Sequence, residues 1–358
     1  MPTYRVDVTR ECDVIEDILR IYGYNNVEMP AHVRASLSFK TPTDAADDWR
    51  RLIAEQLTGA GYNEILNNSL TAVRYYEQLD PDSCVALLNP LSQDLGVMRR
   101  TLLFGGLESL AHNINRKCPD LAFYEFGNVY ERRPDAVSTA EKPLAPFAEH
   151  ARLGLWLSGD IRQANWLRAA ESATYYDLRA TVDNIIARLG LNTRELAWTP
   201  GKSPLFAASM DLATRSGKHL ASLGIVSHKY TKMCQVKTDV FFAELDWDAL
   251  MSLALKRSVT FAELPKAIGV KRDLALLVDK SVTMARIEQV VRESERKLLK
   301  DITLFDVYEG DKLPEGKKSY AISLTLRDDE KTLQDRAIDA VMNKVIANLG
   351  KKLDATLR

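Results

Sequence analysis

The sequence predicts an α+β protein, and three observations carry that reading. Strand-like runs and long amphipathic helices follow one another without strict alternation, so a doubly wound parallel sheet is not indicated. Three strand runs, at 205–213, 219–227 and 240–246, lie close together in the chain, as in an antiparallel sheet. The last hundred residues order as β-α-β-β-α with a short final strand, the order of a ferredoxin-like fold.

Taken in order, Thr9 is placed to cap a helix over 10–22 that Gly23 stops. Val14, Ile18, Ile21 and Tyr22 form its expected buried stripe, broadened by Ile15 and Leu19. Residues 28–42 hold two prolines and read as a connector. Thr43 or Asp44 then caps a helix running to about Ala60, with Trp49, Leu52, Ile53 and Leu57 inward. Residues 64–71 read as a strand. Met98-Arg-Arg-Thr leads into a helix carrying Leu103, Leu107, Leu110, Ala111 and Ile114 on one side. Residues 123–130 are a strand and 131–150 a long exposed loop, because three prolines and many charges fall there. A short strand at 153–157 and a helix at 177–189, ended by Gly190, complete the middle. In the last region, strand 272–278, helix 284–299, strands 302–308 and 319–327 and a helix over about 335–349 are expected. On strand 319–327, Tyr320, Ile322, Leu324 and Leu326 face the helices, and Ser319, Ala321, Ser323, Thr325 and Arg327 face away.

The 358 residues suffice for two or three domains. Hydrophobic residues make up 46% and charged residues 27%, with a net charge of −1, so no strong field marks a polyanion or acidic membrane as partner. No run approaches 18 apolar residues, which predicts no membrane span, and no signal peptide opens the chain. Four cysteines are scattered without a Cys-x-x-Cys pair, which fits a reduced, cytoplasmic protein. No Gly-x-Gly-x-x-Gly, Walker A, Gly-x-Ser-x-Gly or His-x-x-x-His motif is present.

The acidic cluster at the start is the sharpest local feature. Asp13, Glu16 and Asp17 share one helix face, and Asp7 precedes them. Carboxylates at i, i+3 and i+4 repel by a few tenths of a kcal/mol per pair, a cost that a divalent cation offsets. On spacing alone a solvated polar face, with Glu16 and Arg20 as a simple pair, is the commoner explanation.

The stretch from Arg5, Arg-Val-Asp-Val-Thr-Arg-Glu-Cys-Asp-Val-Ile-Glu-Asp-Ile-Leu-Arg-Ile-Tyr-Gly-Tyr, resembles the β subunit of bacterial phenylalanine–tRNA ligase. The resemblance continues through Leu88-Asn-Pro-Leu-Ser, Met98-Arg-Arg-Thr-Leu-Leu, Phe123-Tyr-Glu-Phe-Gly-Asn-Val-Tyr, Val270-Lys-Arg-Asp-Leu-Ala, Leu304-Phe-Asp-Val-Tyr and Lys317-Lys-Ser-Tyr-Ala-Ile-Ser-Leu. Thr199-Pro-Gly-Lys-Ser departs from the family, where His usually precedes Pro. What the resemblance implies is a class II aminoacyl-tRNA-synthetase-like antiparallel-sheet module over 41–258 and a ferredoxin-fold anticodon-binding domain over 259–358. Residues 1–40 would close a small metal-binding domain, truncated at its start, and connect it to the module. It further implies Mg²⁺ at Asp7, Asp13, Glu16 and Asp17, a catalytic α subunit in a heterotetramer of two α and two β, and tRNA as partner. ATP would be used in α.

In class II synthetases an Arg on a strand after a Gly-containing turn holds ATP, with a Glu two residues on. Aligned so, this chain offers Glu131 and Arg133 instead. A carboxylate there repels triphosphate, so the module is expected to be catalytically silent and no catalytic residue is assigned. The last domain is only slightly basic, with 19 Lys+Arg against 17 Asp+Glu over 260–358. Lys271, Arg272, Lys317, Lys318 and Arg327 are its candidate tRNA contacts. Two other readings stay open at this level: a stand-alone RNA-binding protein built on the last domain, and a metal-dependent phosphoryl-transfer enzyme built on the acidic cluster.

Overall fold

The computed structural model describes residues 3–32, 41–257, 261, 263–311 and 313–358. The chain divides into two compact units, Met1–Ser258 and Val259–Arg358.

The first unit opens with helix α1, Glu11–Tyr22. Thr9 and Arg10 donate their backbone N–H groups to the Asp13 carboxylate at 3.0 and 2.8 Å, so Asp13 fixes the helix start and Arg10, not Thr9, is the capping residue. The expected buried stripe is not buried. Ile15, Ile18, Ile21 and Tyr22 are exposed, Val14 and Leu19 are half-buried, and no α1 residue is buried among the described residues. Periodicity gave the apolar face correctly, but no described element packs on it.

Helix α2, Pro42–Gly59, is capped by Thr41, two residues before Thr43 and three before Asp44, with Pro42 at its first position and Asp44 closing a reciprocal capping box. The expected 64–71 strand is two short ones, β1 (Asn63–Glu64) and β2 (Leu70–Thr71). Strand β3 (Val97–Met98) pairs with β2, and helix α3 spans Leu103–Ile114. Strands β4 (Leu121–Arg132) and β5 (Phe147–Ser158) form a long antiparallel hairpin in register from Leu121–Ser158 to Arg132–Phe147. The hairpin takes only the two ends of the expected 131–150 loop, 131–132 and 147–150, and 133–146 carries no strand or helix. A small hairpin, β6 (Asp160–Arg162) with β7 (Glu171–Ser172), follows, then helix α4 (Tyr175–Arg188). Strands β8 (Leu196–Pro200), β9 (Phe206–Thr214) and β10 (His219–Val226), the short helix α5 (His228–Met233), strand β11 (Val240–Asp246) and helix α6 (Trp247–Ala254) complete the unit.

One seven-stranded sheet, in the order β1-β4-β5-β11-β10-β9-β8, organises these elements; only the β1–β4 pair is parallel. Its two faces carry separate cores, because alternate residues of each strand point to opposite sides. Tyr124, Phe126, Leu153, Leu155, Ala243 and Leu245 pack with Ile53 and Leu57 of α2 and with Leu178, Val182 and Ile185 of α4. Phe123, Val129, Trp156 and Phe242 pack on the other side with Leu103, Phe104, Leu107 and Leu110 of α3. Both faces are therefore dry at the centre.

The second unit has strand β12 (Val270–Asp279), helix α7 (Met284–Ser294), strands β13 (Leu299–Tyr308) and β14 (Lys317–Leu326), helix α8 (Asp335–Leu353) and strand β15 (Thr356–Leu357). The sheet order β13-β14-β12-β15 is antiparallel throughout, as the β-α-β-β-α reading requires. Tyr320, Ile322, Leu324 and Leu326 are buried with Ile287, Val290 and Val291 of α7 and Ile338 and Val345 of α8. The opposite row, Ala321, Ser323 and Thr325, is half-buried, and Ser319 is buried.

Candidate functional site: a sealed polar row, an acidic helix edge and a small outer sheet

The α3 side of the large sheet carries an unexpected polar row. Register places Glu125 opposite Gly154, Gly154 opposite Glu244, Glu244 opposite Ser222, and Ser222 opposite Asp211. Glu125 is 0% exposed. It accepts from Arg99 Nη1 at 2.6 Å and from Asn67 Nδ2 at 2.7 Å, with the Asn67 backbone N–H at 3.3 Å. Arg99 is also buried, and its Nε donates to the Asn128 carbonyl at 2.9 Å. Glu244 accepts from Thr101 Oγ1 and from the Leu102 N–H, both at 2.8 Å. Burial pushes the Glu244 carboxyl above the usual range, and those two donors oppose the shift.

Segment 99–102 and helix α3 roof this row. Trp156, fully buried, lies against Gly106 of α3 and Gly154 of β5. A Cβ on Gly106 would sit 2.1 Å from the indole Cε2, and one on Gly154 2.5 Å from Cη2, so both glycines are there to admit the ring. A cleft of about 320 Å³ opens beside Arg99 and Phe104. Its charged groups are already engaged: Arg74 with Asp94, Arg99 with Glu125, and Glu108 with the Tyr75 hydroxyl at 2.6 Å. At the row's far end the Ser222 hydroxyl donates to Asp211 at 2.7 Å and lies 2.9 Å from His219 Nε2. The carboxylate thus contacts the serine and not the histidine, which is not the order that activates a nucleophile. Glu131 is exposed near the loop end of the β4–β5 hairpin, across from Ala148.

The row was missed from sequence. Strict alternation makes Glu125 look like the wet-side neighbour of Tyr124 and Phe126. The usable signal was a carboxylate flanked by aromatics in a strand too apolar to have a wet side.

The four acidic residues of the opening segment are met by three arginines, one of them shared. Arg5 bridges Asp7 at 3.2 Å and Asp17 at 3.3 Å. Asp13 holds the helix cap and Arg10, and Glu16 faces Arg20 at 3.8 Å. The Arg5 hydrogen bond holds Asp7 below the usual carboxylate range, and the N–H groups of Arg10 and Thr9 do the same for Asp13. Among the described residues no three His, Cys, Asp or Glu side chains converge on a metal-sized point.

The five candidate cations of the second unit do not share one surface. Lys271 lies on the outer row opposite Thr325 and is exposed. Lys317 and Arg327 share its parity, but Lys317 faces Asp354 at 3.9 Å and Arg327 Asp329 at 3.0 Å. Arg272 and Lys318 belong to the helix-facing rows. Arg272 meets Asp335 of α8 at 3.9 Å, and Lys318 is 8% exposed with its ammonium 4.8 Å from the Tyr320 ring centre. Sequence reading missed Phe305, exposed on the edge strand β13, and Tyr308, whose ring is 5.1 Å from the Arg358 guanidinium.

Comparison with known proteins gives these parts a common origin. The family described as phenylalanyl tRNA synthetase beta chain CLM domain matches residues 30–247. A ferredoxin-fold anticodon binding domain matches 265–358, and a tRNA synthetase B5 domain matches 1–24. The chain is 49% identical over 361 residues to the phenylalanine–tRNA ligase beta subunit of Bacteroides fragilis, covering all of this chain and 44% of that protein. The same-named subunit of Porphyromonas gingivalis is also 49% identical with the same coverage, and that of Listeria monocytogenes is 33% identical with 43% of its length covered. The chain thus spans less than half the length of the curated relatives it matches. With 218 of its 358 residues inside the first of these matches and relatives aligned along its entire length, the chain belongs to the phenylalanyl-tRNA synthetase β-chain family.

Proposed function

We propose that this chain supplies a non-catalytic part of a phenylalanine–tRNA ligase β subunit, supporting the ATP-dependent joining of phenylalanine to its tRNA while an α subunit does the chemistry. Family membership supports the assignment. The observation that carries the silent role is the roofed polar row: Arg99 is spent on Glu125, Glu244 on the start of α3, and Trp156 fills the space between. Triphosphate recognition needs unspent cations or N–H groups facing an open site. Here the buried Arg99 and Glu125 neutralise each other, and Glu131 adds a negative charge at the hairpin end. The second unit contributes tRNA contacts through its outer sheet face, where Lys271 stands without an ion pair among the described residues. The arrangement within a complex of two α and two β chains belongs to the same proposal.

The magnesium ion expected at Asp7, Asp13, Glu16 and Asp17 does not fit these side chains as they stand. Arg5 takes two of them and the helix cap a third, so no step is routed through the ion. Calorimetric titration with MgCl₂ tests the expectation. If the cluster is a cation site, Arg5→Ala strengthens Mg²⁺ binding, because a competing guanidinium has gone. Unchanged binding leaves a solvated helix edge.

The decisive test of the subunit reading is ATP–pyrophosphate exchange with phenylalanine. The chain alone is expected to give none, and the pair with its α subunit to give full exchange. Exchange by this chain alone would overturn the proposal.

A further inference from the structure

The β6–β7 hairpin presents an indole to solvent on an ordered backbone turn. Of the five tryptophans, Trp156 and Trp247 are buried and Trp49 and Trp198 half-buried, while Trp166 at the hairpin tip is 94% exposed. Leu167 beside it is also exposed. The tip is not slack. Asn165 Oδ1 accepts from the N–H groups of Leu167 and Arg168 at 2.9 and 3.1 Å, and the Asn165 N–H donates to the Arg168 carbonyl at 2.9 Å. The stem is closed by Arg162 on Glu171 at 3.0 Å and by Ser172 Oγ on Asp160 at 2.7 Å. Asp120 ties it to the sheet, accepting from the Asp160 N–H at 2.9 Å and from Gln163 Nε2 at 3.3 Å. Gly159, at φ +76°, makes the turn into the hairpin; a Cβ there would be 2.5 Å from the Pro119 carbonyl.

We propose that this hairpin is a docking finger that seats Trp166 and Leu167 in an apolar pocket of the partner subunit, with Arg168 meeting a carboxylate at the pocket's rim. The inference rests on the subunit reading above and adds a specific point of attachment to it. A large apolar side chain exposed on a pre-organised turn loses little entropy when it docks, and Trp with Arg is the pairing that dominates protein–protein hot spots. Charge decides between protein and RNA. Arg162 is neutralised by Glu171, which leaves Arg168 as the hairpin's one cation without an ion pair among the described residues. RNA affinity grows with each phosphate neutralised, so a single free cation supports little of it. Leu167 offers no plane for a base to stack on.

The test uses the complex assembled from the full β chain and its α subunit. Trp166→Ala is expected to weaken subunit association roughly 30-fold while leaving the melting of the β chain and its tRNA affinity unchanged. Arg168→Glu is expected to weaken association in the same direction. If the wild-type pair assembles and Trp166→Ala assembles equally well, the finger is refuted and the subunit reading stands. If Trp166→Ala loses tRNA affinity but not α, the hairpin is an RNA contact and the proposal fails. If the wild-type chains do not associate at all, the subunit reading falls and takes the finger with it.

Discussion

Replacing Glu125 by Ala probes the sealed row most directly. Glu125 has no solvent exposure, and its partner Arg99 is 6% exposed at the side chain. Removing one member of such a pair leaves a buried, uncompensated charge, at a cost of about 3–5 kcal/mol. The Asn67 side-chain N–H at 2.7 Å also loses its acceptor, which adds about 1 kcal/mol. A unit of this size moves its melting temperature by about 2–4 °C per kcal/mol, so the first unit should melt roughly 10 °C lower. Differential scanning calorimetry with urea titration by far-UV circular dichroism measures both quantities. The control is Arg99→Met with Glu125→Leu, which removes both charges and keeps the space filled. It should regain at least about 2 kcal/mol, because apolar residues in place of a buried pair are near neutral. A single-variant loss below about 1 kcal/mol, or a double variant no better than the single, would refute the claim that the pair is a dry structural lock.

Three further outcomes follow from the same geometry. Gly106→Ala should cost about 3 kcal/mol of stability by urea titration, since the new Cβ meets the Trp156 ring at 2.1 Å and the indole is enclosed on both sides. Glu244 titrates above the usual range when folded, so the native chain binds the extra proton and wild-type stability falls as pH rises past the unfolded glutamate range. Glu244→Gln should therefore gain on wild type progressively above about pH 4.5 and show no advantage below it; a pH-independent difference between the two denaturation midpoints would argue against that sign. In the second unit, Lys271→Ala should weaken tRNA binding and lower the salt slope by about 1, while Lys318→Met should leave both unchanged, as read by fluorescence titration at several salt concentrations.

Strand and helix placement was largely legible in the sequence because the apolar spacings are regular. The antiparallel core strands at 206–214, 219–226 and 240–246 fall within a residue or so of expectation, and the β-α-β-β-α order of the second unit is as read. The failures share a physical cause. Helix α6 begins directly after β11 with no glycine or proline between them, and its cap, Asp246 accepting from the Ala249 N–H at 2.8 Å, lies inside the strand run. Strand β5 starts near Phe147, inside a stretch dismissed for its prolines and charges, because twelve-residue pairing with β4 outweighs local composition. The α1 stripe was a correct face without a described partner. The candidate sites were less legible than the elements. Four neighbouring carboxylates suggest a shared cation, yet Arg5, Arg10 and Arg20 of the same segment pair with them, Arg5 holding two. Residue type and spacing locate charge, but only the fold decides which opposite charge arrives first.

On the proposed reading this sheet serves the ligase without reacting. A catalytic site of this kind must keep charged groups unspent and facing a space that substrate can enter. In this chain the polar groups on the α3 side of the sheet are paired across elements distant in sequence, Arg99 with Glu125 and Thr101 with Glu244, so that neutralising the row also anchors the start of α3 to the sheet. Reopening the face would strand the buried Glu125 and the half-buried Glu244 and expose the Trp156 ring together. On that reading, silence is a product of the fold's stability and not of one residue, and placing an Arg at position 131 alone should produce no adenylate formation. Glu131→Arg together with Arg133→Glu, assayed for ATP–pyrophosphate exchange without an α subunit, puts this to the test. Measurable exchange would mean that the missing phosphate clamp, rather than the sealed row, had been the whole obstacle.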